Sequence, residues 1–449
     1  MEWKQASPMR WERATSGMEE YFIFTGNITA ALYDGRQQYT VISTVKAEFN
    51  NIPDVESALR HAWKQVRYEE PDIATTVELG KKIFEVLDDA GVEKWADQTF
   101  IIDRDNRDAD ALHKNPRRMK PSTLYYLPKS SELVLHAHHA TVDGVGMVVF
   151  WDRFFRAVTS PNREISFGQE HARLVPAIDD LIGPQGPPTP EGIEVGKAMV
   201  MDYVGNLPAI GFPSRVGKVP AGESIHMEKV FAEETTSAIV KGCKAKGISV
   251  TTAVHAAYIT ILSKYADPET NTTKYTTPCE FNIRGRLPAP YNMAAASQYY
   301  IPLPFSLDLP ATFPQMVAIL NKYYRTTIDA HPDWVENQGY FTRALEQFVK
   351  TPEYRTAPIP TDGLVSSLGI VEKHLQRSYG EGDAVVVRDW KLSCDCVLGM
   401  TGFHVYTFRD KLRFVFQFNE AYQEPKDIRF YMEEIERVLT EEIIGTTNL

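Results

Sequence analysis

The chain has 449 residues, of which 43% are hydrophobic and 24% are charged, and its formal net charge is −11 at pH 7. This length suits two lobes of about 200 residues each, and the composition is that of a folded globular protein. The excess of acidic residues excludes nucleic acid as the default partner, because phosphate binding needs clustered positive charge.

The sequence predicts no targeting or membrane segment. The amino terminus carries charges throughout and has no apolar core of signal-peptide length, and no later stretch approaches about 18 uninterrupted apolar residues. We therefore expect a cytoplasmic monomer with no membrane partner. The cysteines are too sparse and irregular for a disulfide framework and are predicted to be reduced thiols: Cys243, Cys279, Cys394 and Cys396.

The first half of the chain mixes strand and helix patterns. YTVISTVKAEF (39–49) alternates and predicts a strand, whereas PDVESALRHAWKQV (53–66) has apolar residues at helical spacing. From 181 to 224, Pro and Gly recur with no sustained period, which predicts a crossover linker. We expect an amino-terminal lobe over 1–180 and a carboxy-terminal lobe over 225–449.

The second half repeats this mixture. SIHMEKVFA predicts a strand, and EETTSAIVKGCKAKG and SVTTAVHAAYITILSKYA predict two helices, the second capped by Thr251 or Thr252. HVYTF and LRFVFQF alternate on both sides of a polar turn and predict a hairpin, and a final helix is expected over 427–444. Both halves are therefore predicted to be α/β.

LHAHHATVDGVGM (135–147) places three histidines at the end of an apolar run. Side chains alternate along a strand, so His139 points to one face while His136 and His138 point to the other. The residues that follow have helical spacing. Asp143 stands where it would cap that helix or hold a distant cation.

Three interpretations of these histidines stay open from the residues alone. His136 and His138 are able to share a metal ion, all three can be buried and hydrogen-bonded, or one is a general base, since an unperturbed pKa near ~6.5 lets it take a proton at neutral pH. The region has no Gly-x-Ser-x-Gly elbow, so a base would act directly on a bound hydroxyl or amine. That predicts a ternary complex instead of an acyl-enzyme.

The same residues carry a family resemblance. HHATVDG, from His138 to Gly144, matches HHxxxDG, the signature of the CoA-dependent acyltransferase superfamily, which includes chloramphenicol acetyltransferase, plant hydroxyl acyltransferases and peptide-synthetase condensation domains. The resemblance implies an α/β fold of two chloramphenicol-acetyltransferase-like lobes that form a pseudo-dimer with a central tunnel. It also implies that His139 is the catalytic base and that His138, Asp143 and Gly144 support the site.

A second segment, FNIRGRLPAPYN (281–292), resembles a second-lobe segment of the same superfamily. In that superfamily an arginine there forms a salt bridge with the motif aspartate. This implies Arg284 as the partner of Asp143, with Arg286 as the alternative. Such a pair would fix the loop and orient the histidine without touching it.

A third segment, LVSSLGIVEKHL (364–375), resembles the Ser-x-Leu-Gly strand end that lies near the tunnel in relatives. The resemblance implies that Ser366 or Ser367 lines the tunnel or donates a hydrogen bond to the developing oxyanion. The alternative is that the Ser-Ser pair before Gly369 only ends a strand.

Within the superfamily the chain most resembles the fungal secondary-metabolite acetyltransferases, of which trichothecene 15-O-acetyltransferase is an example. The DFGWG segment of plant enzymes and the HPxLR ending of condensation domains are missing. The implied reaction is acyl transfer, with acetyl-CoA as co-substrate and a hydroxyl of a fungal terpenoid or polyketide as acceptor. No permanently bound cofactor and no metal are expected. Two alternatives stay open: a condensation-like enzyme with a carrier-bound donor or a cyclisation or coupling reaction, and an inactive binding scaffold.

Overall fold

A computed structural model describes residues 2–113, 121–184, 188–357 and 361–445. Strands and helices mix along all of these ranges, which confirms the α/β class. The strands are β1 (Lys4–Ser7), β2 (Arg10–Ala14), β3 (Thr40–Phe49), β4 (Thr76–Glu78), β5 (Lys81–Glu85), β6 (Phe100–Ile102), β7 (Thr123–Leu127), β8 (Glu132–His138), β9 (Ser224–Val230), β10 (Lys274–Asn282), β11 (Tyr300–Asp308), β12 (Gly363–Ile370), β13 (Ser378–Tyr379), β14 (Val385–Cys394), β15 (Thr401–Phe408) and β16 (Lys411–Asn419). The helices are α1 (Gly17–Leu32), α2 (Val55–Glu69), α3 (Asp89–Thr99), α4 (Ala109–His113), α5 (Gly144–Thr159), α6 (Ile178–Ile182), α7 (Pro190–Val204), α8 (Glu233–Ala245), α9 (Val250–Lys264), α10 (Phe313–Ala330), α11 (Pro332–Glu336), α12 (Gln338–Val349), α13 (Pro352–Thr356) and α14 (Pro425–Ile443).

The histidine-rich strand β8 lies inside a six-stranded sheet of order β13-β14-β3-β8-β7-β6. It pairs antiparallel with β3, so that His138 is opposite Thr40. Leu135 and Ala137 are fully buried in the main core, whereas Val134 packs in a separate cluster on the other face. The predicted two-residue alternation of this strand is confirmed.

Helix α5 follows the strand and packs against α2 over the sheet. Its apolar residues fall at helical spacing, and Met147, Trp151 and Phe155 have no exposed surface. The indole Nε1 of Trp151 donates a hydrogen bond of 2.9 Å to Oγ of Ser43 on β3. The helix is therefore fixed to the sheet one strand away from β8.

The second half builds a sheet of order β12-β15-β16-β9, covered by α8, α9 and α14. The predicted hairpin (β15 and β16) and the predicted final helix (α14) are both confirmed. The predicted cap of α9 is wrong. Ser249, not Thr251 or Thr252, caps this helix, because Ser249 has extended backbone angles and its Oγ accepts from the Thr252 amide at 3.0 Å.

Two strands of the second half, β13 and β14, belong to the first sheet. β14 pairs antiparallel with β3 along its whole length. Trp390 and Leu392 of β14 are buried in the same core as β8 and α5. The second half thus contributes strands to the sheet of the first half, which periodicity cannot reveal. The lobe limits drawn by chain position stay a prediction.

The segment predicted as a linker, 181–224, contains helix α7. Thr189 caps this helix and Pro190 occupies its first turn. The helix packs on α12, and a Cβ added at Gly192 would lie 2.3 Å from Cζ of Tyr340. Glycine is what allows the two helices to approach.

No helix in the described part of the chain is both long and apolar enough to cross a lipid bilayer.

Candidate active site

The HHATVDG segment forms a tight turn between β8 and α5. The strand ends at His138, whose carbonyl accepts from the Thr141 amide at 2.8 Å. Nδ1 of His138 accepts from the Ala140 amide at 3.0 Å. Burial lowers the pKa of His138 to about 3, so this ring is neutral and acts as a hydrogen-bond acceptor inside the turn.

Asp143 holds the start of α5 in place. Its Oδ1 accepts from the Gly146 amide at 2.7 Å, which is an N-cap hydrogen bond. Its Oδ2 accepts from the Tyr299 amide and from Nη1 of Arg284, both at 2.8 Å. The carboxylate therefore joins the histidine loop to a segment more than a hundred residues away, and none of these three hydrogen bonds goes to His139.

Arg284 is the arginine that reaches Asp143. Its side chain is buried, and its Nη2 also donates to Oγ of Ser297 at 2.8 Å while its Nε donates to the Ala294 carbonyl at 3.2 Å. Arg286, the alternative named from the sequence, instead pairs with Asp329 on the surface. A buried ion pair with this many hydrogen bonds fixes geometry more than it adds stability.

Two glycines of the motif region permit this close packing. A Cβ at Gly144 would lie 2.8 Å from Cδ2 of Leu368, which belongs to the Ser-x-Leu-Gly segment. A Cβ at Gly146 would lie 2.2 Å from the Ala295 carbonyl oxygen, beside Arg284. Gly146 was not singled out from the sequence, because its role depends on which distant segment packs there.

His139 is the first residue after β8, and aromatic rings surround it. Its ring stacks on Phe22 of α1, with centroids 4.1 Å apart and planes 5° apart, and Tyr300 of β11 is 6.2 Å away. The side chain is half-buried. Its Nε2 has no hydrogen-bond partner among the residues that the structure describes and is not sealed from solvent.

Gln298 holds the other side of His139. Its Nε2 donates to the His139 backbone carbonyl at 2.7 Å and lies 3.3 Å from ring Nδ1. The amide is buried. Sequence reasoning missed Gln298, although it lies only six residues after the segment 281–292 that carries Arg284.

The electrostatics keep His139 neutral at pH 7. Burial lowers its pKa, while a ring hydrogen bond to its own carbonyl and the Asp143 carboxylate act in the opposite direction. In the tautomer with its proton on Nδ1, the ring keeps its lone pair on Nε2, which has no hydrogen-bond partner among the described residues.

Helix α1, which presents Phe22 to His139, is anchored by a buried ion pair. Ser16 and Glu19 form a capping box, with the Ser16 amide donating to Glu19 at 2.7 Å. Arg13 donates two hydrogen bonds, of 2.7 and 2.8 Å, to the Glu19 carboxylate. The S-x-x-E spacing before an apolar run is a helix-start signal that would have located α1 from the sequence.

The two serines named from the sequence have different partners. Oγ of Ser366 donates to Oε2 of Glu280 at 2.6 Å, so its single proton is already in use. Oγ of Ser367 and Oγ1 of Thr251 share one hydrogen bond of 2.8 Å. Those two hydroxyls carry two protons, which leaves one free to donate elsewhere.

The described ranges contain no group of three His, Cys, Asp or Glu side chains arranged to hold a metal ion. His136 is half-buried on β8. The site therefore consists of the His139 imidazole, the buried ion pair of Asp143 and Arg284, and the aromatic rings of Phe22 and Tyr300. This arrangement can remove a proton from a substrate bound against His139.

Comparison with known proteins places these features in context. No family model matches the chain. The chain is 26% identical to the O-acetyltransferase pigM of Monascus ruber, over 99% of this chain and 87% of pigM. It is 25% identical to the acetyltransferase pigO of the same fungus, over 99% of this chain and 98% of pigO.

Solved structures share the fold. Trichothecene 15-O-acetyltransferase TRI3 from Fusarium sporotrichioides matches with a TM-score of 0.83 over 97% of both chains, at 15% identity. The first condensation domain of the CDA synthetase matches with a TM-score of 0.60 over 98% of this chain and 97% of that domain, at 14% identity. The resemblance stated from the sequence is confirmed: the chain has the fold that trichothecene 15-O-acetyltransferase shares with condensation domains, and it is an acyltransferase related to fungal acetyltransferases.

Proposed function

We propose that this protein transfers an acetyl group from acetyl-CoA to a hydroxyl of a fungal secondary metabolite, such as a terpenoid or a polyketide, with His139 as the general base. The observation that carries the proposal is Nε2 of His139, which has no partner among the described residues, on a ring that stacks on Phe22 and lies beside Gln298. A fixed neutral imidazole with one free nitrogen is what hydroxyl deprotonation needs.

The reaction proceeds in a ternary complex. Nε2 of His139 takes the proton of the acceptor hydroxyl as that oxygen attacks the thioester carbonyl. The tetrahedral intermediate then expels the CoA thiolate, which receives the proton from His139. The products are the ester and free CoA, and the imidazole returns to its neutral form.

Asp143 and Arg284 fix the position of the motif loop and take no part in the proton transfer by His139. Their ion pair ties the motif loop to the segment that also carries Gln298 and Tyr299. The spare proton of the Ser367 and Thr251 hydroxyls is our candidate donor to the oxyanion, since the Ser366 proton is committed to Glu280.

One chain supplies all of these groups, which supports a monomeric enzyme. The cytoplasmic location stays a prediction.

The condensation-domain likeness favours one alternative, in which the acyl donor is bound to a carrier protein. In that case the same histidine would act on a carrier-bound thioester. A cyclisation or coupling reaction keeps the same base as well, whereas an inactive scaffold would have no need of the open Nε2.

Labelled acetyl-CoA separates these possibilities. The purified protein is incubated with the label and a panel of terpenoid and polyketide alcohols, and label in the ester product is measured. We expect transfer by the wild-type protein and none above background by His139→Ala. Transfer from an acetylated carrier protein but never from acetyl-CoA would support the alternative donor. Equal transfer by His139→Ala would overturn the proposal.

A further inference from the structure

Glu280 is an internal carboxyl that the mechanism above does not use. It lies on β10, directly after Cys279, which is fully buried in the core of the second half. Alternation along the strand puts Glu280 on the opposite face. On the paired strand β11, Pro302 is opposite Glu280 and Tyr300 is opposite Asn282, so Tyr300 shares the face of Glu280.

The carboxyl has one hydrogen bond and no counter-ion. Its Oε2 accepts from Ser366 at 2.6 Å, and no Lys or Arg of the described ranges forms an ion pair with it. Its Oε1 has no hydrogen bond to those residues and is not sealed from solvent. Burial raises the pKa of Glu280, yet the side chain is only half-buried. Together these facts describe a partly accessible carboxyl with one acceptor oxygen that has no protein partner among the described residues.

Tyr300 is the residue that relates Glu280 to His139. The Tyr300 ring is 6.2 Å from the His139 ring. Burial raises the pKa of Tyr300, and the carboxylates of Glu280 and Asp143 raise it further. Diagonal neighbours on a strand pair lie about 7–8 Å apart. Glu280 and His139 are thus both neighbours of Tyr300, as an acceptor that contacts both groups would require.

A carboxyl inside a protein without a cation costs free energy unless a ligand pairs with it. We propose that Glu280, held by Ser366, binds a second hydrogen-bond donor of the acceptor through Oε1. The enzyme then selects polyols or amino alcohols over acceptors that carry only the hydroxyl to be acylated. This inference rests on the proposed function, since it places the acylated hydroxyl at His139.

Ring-substituted benzyl alcohols test the inference. Each carries a hydroxyl, an amine or a methoxy group at ring position 2, 3 or 4, and the unsubstituted alcohol is the reference. Binding to the full-length His139→Ala protein is measured by ligand-observed NMR titration. Transfer from labelled acetyl-CoA is measured with the wild-type protein.

At one ring position we expect the hydroxyl or amine probe to bind about tenfold tighter than its methoxy counterpart. Adding Glu280→Met should reduce that preference to about twofold or less, and Glu280→Gln should retain part of it. Thr276→Val, four residues earlier on the same face of β10, is the control and should leave the preference unchanged. The hydroxyl and amine arms distinguish a polyol from an amino alcohol.

Equal binding of each donor probe and its methoxy counterpart overturns the inference, and so does a preference that survives in Glu280→Met. Should Glu280→Met not fold, the same criterion applies to Glu280→Gln and Ser366→Ala, each of which must weaken the preference. Binding preference without transfer by the wild-type protein would contradict the proposed function and leave Glu280 as a recognition group. Acyl transfer by the wild-type protein without any binding preference would support the proposed function and contradict the recognition role of Glu280.

Discussion

His139 and His255 are both enclosed histidines, one in each half of the chain, and they differ in what their ring nitrogens contact. His255 lies fully buried on α9, with Nδ1 2.8 Å from the Tyr324 hydroxyl and Nε2 2.8 Å from the Tyr275 hydroxyl. His139 has one nitrogen beside Gln298 and the other open.

The pKa does not separate the two residues. Burial lowers the pKa of His255 to about 3 and also lowers the pKa of His139, so both rings are neutral at pH 7. A general base needs, in addition, a nitrogen whose lone pair can meet a substrate proton. Both ring nitrogens of His255 have hydrogen-bond partners, so we regard His255 as a structural residue. Nε2 of His139 has no partner among the described residues, so we propose His139 as the base.

The largest expected effect comes from exchanging each histidine for alanine. His139→Ala should lower acyl transfer by about 10²–10⁴-fold with little change in thermal stability, since it removes the base from an open site. His255→Ala should retain activity per folded molecule but lose about 2–4 kcal/mol of stability, because it leaves a cavity and two unpaired tyrosine hydroxyls. Single-turnover transfer and urea unfolding measure the two effects. A similar loss of activity in both variants would contradict the distinction between His139 as the base and His255 as a structural residue.

The ion pair behind His139 gives the next effect. Arg284→Met should cost about 3–5 kcal/mol in the free energy of unfolding, because it leaves the Asp143 carboxylate buried without its partner. Arg286→Met, which breaks the exposed pair with Asp329, is the control and should cost less than about 1 kcal/mol. Urea unfolding of both variants checks this. Equal costs would mean that the Asp143 pair is not buried as described.

Gln298 should affect activity more than stability. In Gln298→Leu the His139 carbonyl loses its donor, and we expect kcat to fall about tenfold as the ring becomes less well oriented. Gln338→Leu is the matched control, since its buried amide donates to the Pro302 carbonyl at 3.2 Å, away from His139. Steady-state kinetics of the two variants measure the contrast. Equal kcat values would show that Gln298 does not orient the base.

The pH dependence is the smallest and most specific effect. A histidine with a lowered pKa is neutral and competent as a base above that pKa, so the midpoint of the acid-side fall in kcat/KM should lie below the ordinary histidine value of 6.5. A pH profile of initial rates, corrected for acid unfolding, measures this. A decline that begins above pH 7 would mean that burial does not lower the pKa of His139.

Local sequence patterns predicted much of this fold. The alternation of β8, the helix after it and the position of Asp143 at that helix start all depend on neighbours within a few residues. The link from Asp143 to Arg284 had no such signal and came only from the family resemblance. The cap of α9 was predicted wrongly because three hydroxyl residues lie within four positions, and it is Ser249 that has the extended backbone angles of an N-cap.

The walls of the site could not be predicted, for a physical reason. Phe22 on one side, and Gln298 and Tyr300 on the other, meet His139 from segments far apart from it in the chain, and tertiary contacts between the two halves bring them together. Nothing in their local sequence distinguishes them from core residues. The recognition role of Glu280 likewise depends on a face of β10 that is defined by its tertiary neighbours.

The tautomer of His139 tests the central claim most directly. In protein labelled with nitrogen-15 in its histidines, the His139 signals are assigned by their loss in His139→Ala. At pH 7 without ligand, the account predicts a proton on Nδ1 and a lone-pair signal from Nε2. A proton on Nε2, or a doubly protonated ring at that pH, would contradict the claim that His139 is poised to take the acceptor proton.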